Sequence, residues 1–126
     1  MTADYPLPGE LFSLVDDVAV VTGGGRGIGE GIARTLAAAG AKVVVAARRT
    51  DEIEAVAAQI RADGGEAIAV ATDVTDDAAV DALARAAVDT YGKLSIWVNN
   101  AGGSSARMPM TELSRQPSGV RTAMSS

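Results

Sequence analysis

Four short apolar runs, separated by longer amphipathic stretches, organise the chain from Val18 to Asn99. The runs VAVVT (18–22), KVVVAA (42–47), AIAVA (67–71) and LSIWVN (94–99) are nearly continuous in apolar, largely β-branched residues. Strands of a parallel sheet covered on both faces read this way, because neither side of the pleat meets water. Between the runs, apolar positions recur with a helical period. Ile28, Ile32 and Leu36 form one stripe, ended by Gly40. Ile53, Val56, Ala57 and Ile60 form a second, ended by Gly64 and Gly65, with Asp51 and Glu54 predicting a capping-box-like start. Val80, Leu83, Ala84, Ala87, Val88 and Tyr91 form a third, ended by Gly92. The alternation predicts an α/β fold, a Rossmann-like doubly wound parallel sheet of βαβαβαβ order with four strands and three helices. Right-handed crossovers then place two helices on one face and one on the other.

The pattern lapses after Gly102. GSSARMPMTELSRQPSGVRTAMSS has no sustained period, and serine, glycine and proline punctuate it throughout. Its charged residues, Arg107, Glu112, Arg115 and Arg121, are net positive after a strongly acidic body. We read 1–17 as an N-terminal extension, 18–102 as the folded unit and 103–126 as an irregular, mobile tail. In that arrangement the 94–99 strand is an unprotected apolar edge, and one face of the sheet is partly bare. Both features invite association.

Composition narrows the chemistry. Of 126 residues, 48% are hydrophobic, enough for one core that buries roughly two thirds of the unfolded surface. A net charge of −5 argues against nucleic acid and anionic membranes as partners. With no cysteine and no histidine, thiolate chemistry, a zinc site and Ser-His-Asp catalysis are removed from consideration. The acidic N-terminus lacks a signal-peptide pattern, and no run approaches the roughly 20 apolar residues of a membrane span. The expectation is a soluble, cytoplasmic protein.

The candidate chemistry sits in VVTGGGRGIGEGIA (20–33), where five glycines fall in the seven residues from Gly23 to Gly29. A glycine-rich turn between a strand and a helix offers bare backbone and a helix N-terminus to a phosphate. No frame of the run gives G-x-G-x-x-G, and no Gly-Lys-Ser/Thr follows it as a P-loop requires. The frame that fits is Thr-Gly-x-x-x-Gly-x-Gly, at Thr22, Gly23, Gly27 and Gly29.

That frame resembles the fingerprint of the short-chain dehydrogenase/reductase family. Two further motifs stand in order on the expected elements: Asp73-Val74 after the third strand, and NNAG (99–102) ending the fourth. The resemblance covers about residues 11 to 113 and makes 18–102 a dinucleotide-binding half-domain. It implies Gly23, Gly27, Ile28 and Gly29 around a pyrophosphate, and Asp73 and Val74 at the adenine. Asn100, Ala101 and Gly102 would lie on the ribose side. Structural readings stand beside these: Asp73 as a turn or capping residue, and Asn99 or Asn100 as a brace of the sheet.

In a doubly wound fold, the end of the second strand selects the cofactor. An acid there accepts from the adenosine ribose, whereas an arginine favours a 2′-phosphate. Ala47 stands where the acid is expected and Arg48 follows it, with Arg26 in the glycine loop. Because a guanidinium grips phosphate through paired hydrogen bonds, the pattern favours NADP(H) over NAD(H). The other reading makes Arg48 and Arg49 solvated charges, balanced by Asp51 or Glu52.

The resemblance also implies a catalytic Tyr-x-x-x-Lys with a serine. Tyr5, Tyr91, Lys42 and Lys93 do not match that spacing, so we assign no catalytic residue and no metal ligand. The expectation is an NADP(H)-dependent oxidoreductase interconverting alcohol and carbonyl, represented by its cofactor-binding half, from a family that is usually homo-oligomeric. The alternatives are a non-catalytic dinucleotide-binding or assembly module, and a truncated product without function.

Overall fold

Strand β1 (Val18–Thr22) is buried at every position and forms the middle of a five-stranded parallel sheet of order β3-β2-β1-β4-β5. The computed structural model describes residues 13–25 and 27–100, together with the backbone of 121–124. The other strands are β2 (Lys42–Ala47), β3 (Glu66–Ala71), β4 (Ile96–Asn99) and β5 (Arg121–Met124). The helices are α1 (Gly27–Ala38), α2 (Thr50–Ala62) and α3 (Asp77–Tyr91), each carrying the chain between parallel strands. Val20 pairs with Val44 on one side and Trp97 on the other, so the β-branched runs stack across the sheet.

Residues of alternating parity feed two cores, as the pleat requires. Val21, Val43, Val45 and Val98 meet Ala33 of α1 and Ile53, Val56, Ala57 and Ile60 of α2 on one face. Val18, Val20, Val44 and Trp97 meet Val80, Leu83 and Ala87 of α3 on the other. The two-and-one distribution of helices is the expected one. No helix among the described residues is long and apolar enough to cross a membrane.

Three local expectations need correction. In α1 the fully buried residues are Gly29 and Ala33, while Ile28 is 63% exposed. Small residues let the helix approach the sheet closely, which rotates the isoleucine stripe partly out of the core; Ile32 and Leu36 pack at its margin. The N-cap of α2 is Arg49, in extended conformation and without a side-chain cap, not Asp51. Asp51 and Glu52 occupy its first turn instead, where the helix dipole favours negative charge. In α3, Asp76 caps the N-terminus by accepting from the Ala78 N–H at 3.0 Å, and Gly92 at φ 88° closes the helix as expected.

The third correction concerns the sheet edge. The 94–99 segment is not an open edge, because Arg121–Met124 pairs parallel to β4 with Ile96 opposite Arg121 and Asn99 opposite Met124. The expected irregular stretch 103–126 therefore contains a strand. Twenty-one residues separate β4 from β5, ample for the crossover that parallel pairing demands. Leu94 and Trp97, on the α3 face expected to be partly bare, are 5% and 2% exposed. The association expected at 94–99 loses its physical basis at that edge.

Candidate cofactor-binding site

From β1 the chain crosses to β2 on one side, and β4 lies on the other, so the connections diverge at the carboxyl ends of β1 and β4. A doubly wound sheet binds ligands at such a switch point. The glycine turn 23–25 stands there, with α1 beginning directly beyond it at Gly27.

Each glycine of the fingerprint has a separate reason. Gly23 and Gly27 adopt φ +66° and +61°, in the left-handed region that side chains rarely occupy. A Cβ on Gly29 would collide with the Gly23 carbonyl oxygen and stand 2.6 Å from Asn100 Nδ2, so α1 can rest on the turn only if position 29 is bare. Gly27 differs, because a Cβ there would meet nothing within 4 Å. Its face opens outward at the helix N-terminus, where first-turn amides have no intrahelical acceptor. The Gly23 and Gly24 amides are already directed to the Ala46 carbonyl, at 2.7 and 3.3 Å. Anion-binding capacity thus lies with the first turn of α1, beside the exposed Ile28.

Thr22 ties the turn to β4. Its hydroxyl lies 3.3 Å from the Val98 carbonyl and 3.2 Å from Asn99 Oδ1, both acceptors, and itself accepts from the Asn100 N–H at 2.9 Å. Asn100 Nδ2 donates to the Gly23 carbonyl at 3.5 Å. Asn99 is 3% exposed and Asn100 half-buried. The two asparagines therefore brace the strand ends against the glycine turn, the scaffold role that sequence reasoning held open.

Asp73 follows β3 at the same end of the sheet. Its Oδ1 accepts from the Thr75 hydroxyl at 2.6 Å and the Thr75 N–H at 2.9 Å, forming a turn that leads to the α3 cap. Those bonds, first the hydroxyl and then the amide, hold its carboxyl below the ordinary 3.8, and the positive charge of Arg48 adds to them. Val74 packs at the margin of the α3-side core. Arg48 is exposed just past the end of β2, and Ala47 is half-buried. Arg26, Ala101 and Gly102 lie outside the described residues.

Glu52 was not singled out as a site residue by sequence pattern. A Cβ on Gly25 would come within 2.9 Å of Glu52 Cβ and 3.1 Å of Oε1, so this half-buried acid lies on the glycine turn itself. The only hint in sequence was an acid shortly after the second strand. Tyr91 and Lys93 lie at the opposite end of the sheet, where α3 delivers the chain to the start of β4. Burial pushes the Tyr91 hydroxyl up, with Glu66 at the start of β3 adding to the shift and Arg61 opposing it.

A bare glycine face at a helix N-terminus, set at the switch point, fits the pyrophosphate of a dinucleotide. The family model for short chain dehydrogenases matches residues 17–124, starting later than the expected 11 and passing the expected end near Leu113 to include β5. An uncharacterized oxidoreductase of Mycobacterium tuberculosis is 50% identical over 105 residues, 83% of this chain and 39% of that protein. A solved 7α-hydroxysteroid dehydrogenase, complexed with NADH and 7-oxo glycochenodeoxycholic acid, is 39% identical with a TM-score of 0.74. The match covers 88% of this chain and 44% of that one. A metagenomic short-chain oxidoreductase in complex with NADP is 44% identical with a TM-score of 0.68, covering 71% and 41%. The chain spans about two fifths of the length of the curated relatives it matches. Because that family model spans β1 to β5 and most of the sequence, the chain belongs to the short-chain dehydrogenase family.

Proposed function

We propose that this chain is the dinucleotide-binding half of an oxidoreductase that interconverts an alcohol and a carbonyl, and that it prefers NADP(H). The open N-terminus of α1 at Gly27, set at the switch point between β1 and β4, carries this reading. The first-turn amides of α1 hold the pyrophosphate, with Gly23 and Gly29 shaping the turn and Ile28 covering it. Arg48 and Arg26 hold the 2′-phosphate. Asp73 and Val74 border the adenine, and Asn100, Ala101 and Gly102 the ribose side. A bound nicotinamide dinucleotide supplies hydride exchange at a carbonyl.

Arg48→Asp tests the preference. Loss of the guanidinium should weaken NADPH about tenfold or more and leave NADH within about twofold, because only the phosphate uses the paired charge-assisted bonds. An unchanged NADPH/NADH ratio would overturn the preference while leaving dinucleotide binding intact.

A second reading has its own observation. Tyr91 and Lys93 sit at the end of the sheet remote from the glycine turn. On this reading the chain binds dinucleotide and reduces nothing. NADPH oxidation followed with aldehydes and ketones separates the two, since only the enzyme reading predicts consumption.

A further inference from the structure

We propose that Glu52 is a specificity-determining residue that opposes a 2′-phosphate on the adenosine ribose. The proposal rests on the dinucleotide reading above. The end of β2 carries Ala47, which offers the ribose neither charge nor hydrogen bond, and Arg48, which favours phosphate. The fold returns an acid to the same region from the next element. Glu52 stands in the first turn of α2, and its Oε1 lies 3.1 Å from where a Cβ on Gly25 would be. Its place is fixed by its neighbour: Ile53 is fully buried, and its Cγ2 would touch the same glycine Cβ at 3.4 Å. The carboxylate thus stands on the glycine turn at Gly25, two residues before Gly27 opens the first turn of α1.

A carboxylate in that position accepts a hydrogen bond from a ribose hydroxyl and repels a phosphate dianion. Arg48, four residues earlier, acts with opposite sign. Cofactor preference in this chain is then a difference between two side chains on one β2–α2 connection, not the property of the arginine alone. A purely structural role for Glu52 would be to complement the α2 dipole. Asp51, exposed in the same turn, complements it equally and provides the control.

The test is calorimetric titration of the full chain with NADPH and with NADH, for the wild type, Glu52→Gln and Asp51→Asn. The amide is isosteric with the acid; it removes the charge and turns one acceptor oxygen into a donor NH2. Glu52→Gln should tighten NADPH about three- to tenfold and leave NADH equal or weaker, as removal of one nearby charge at intermediate dielectric predicts. Asp51→Asn should leave both within about twofold. Equal shifts for both cofactors in Glu52→Gln, no shift at all, or the same NADPH gain in Asp51→Asn would each overturn the proposal. A selective gain in a wild type that already prefers NADH would support Glu52 and overturn only the NADP(H) preference. A folded wild type that binds neither cofactor would overturn the dinucleotide reading and this inference with it.

Discussion

Three glycines within five residues separate the demands of folding from those of binding. Gly31 is exposed in α1 with open space around it, so Gly31→Ala should stabilise the chain by about 1 kcal/mol through helix propensity and leave binding unchanged. Gly29→Ala gains the same propensity yet drives a Cβ into the Gly23 carbonyl. A net loss of about 3 kcal/mol in denaturant titration is expected, and binding should fall with it. Gly27→Ala has room for its methyl but holds φ +61°, a loss of about 1–2 kcal/mol, and should weaken dinucleotide binding far more than that loss explains. Equal effects of the three substitutions on binding would contradict the assignment of the pyrophosphate to the open face. The glycine spacing was legible in sequence, because a left-handed turn and a close helix approach demand that residue. The contact of Glu52 with Gly25 was not, since it depends on how α2 sits on the sheet. Asp73 gives a pH signature. Its carboxyl is held below 3.8 in the fold, so the stability it contributes is present above that value and is lost as pH falls through the lowered one. Asp73→Asn should therefore melt below the wild type at neutral pH and converge with it in strong acid. A difference that persists unchanged in acid would rule the Thr75 bonds out as its source.

At the scale of elements, continuous β-branched runs made four strands legible, and the left-handed glycines at 40, 64 and 92 stand at the helix ends. The buried face of α1 was misread because a periodicity of large residues cannot register contacts made by Gly29 and Ala33. The start of α2 was misread because acids near a helix N-terminus serve the dipole as readily as the cap. For α3 the cap is explicit: Asp76→Ala should lower stability by about 1 kcal/mol in thermal or urea melts, and Asp76→Asn should restore most of it. Identical melts for the alanine variant and the wild type would show that the Ala78 bond contributes nothing. Strand β5 escaped sequence reading because its four residues, RTAM, carry a single β-branched side chain and no apolar run. Its place comes from β4, whose outer hydrogen-bonding groups need a partner.

At the scale of the molecule, the sheet order brings the glycine turn, Asn100, Arg48 and Asp73 to the carboxyl ends of the strands, and sends Tyr91 and Lys93 to the other end. Dinucleotide binding at the glycine turn is the claim to test. Trp97 is the only tryptophan; it is 2% exposed on β4 and two residues from Asn99, well placed to transfer energy to a nicotinamide at the strand ends. The decisive measurement is a titration of its emission with NADPH, alongside a thermal melt at each concentration. The account predicts saturable quenching, with a melting temperature that rises as ligand binds only the folded state. A cooperative melt with blue-shifted Trp97 emission, but neither quenching nor a shift in melting temperature, would contradict it.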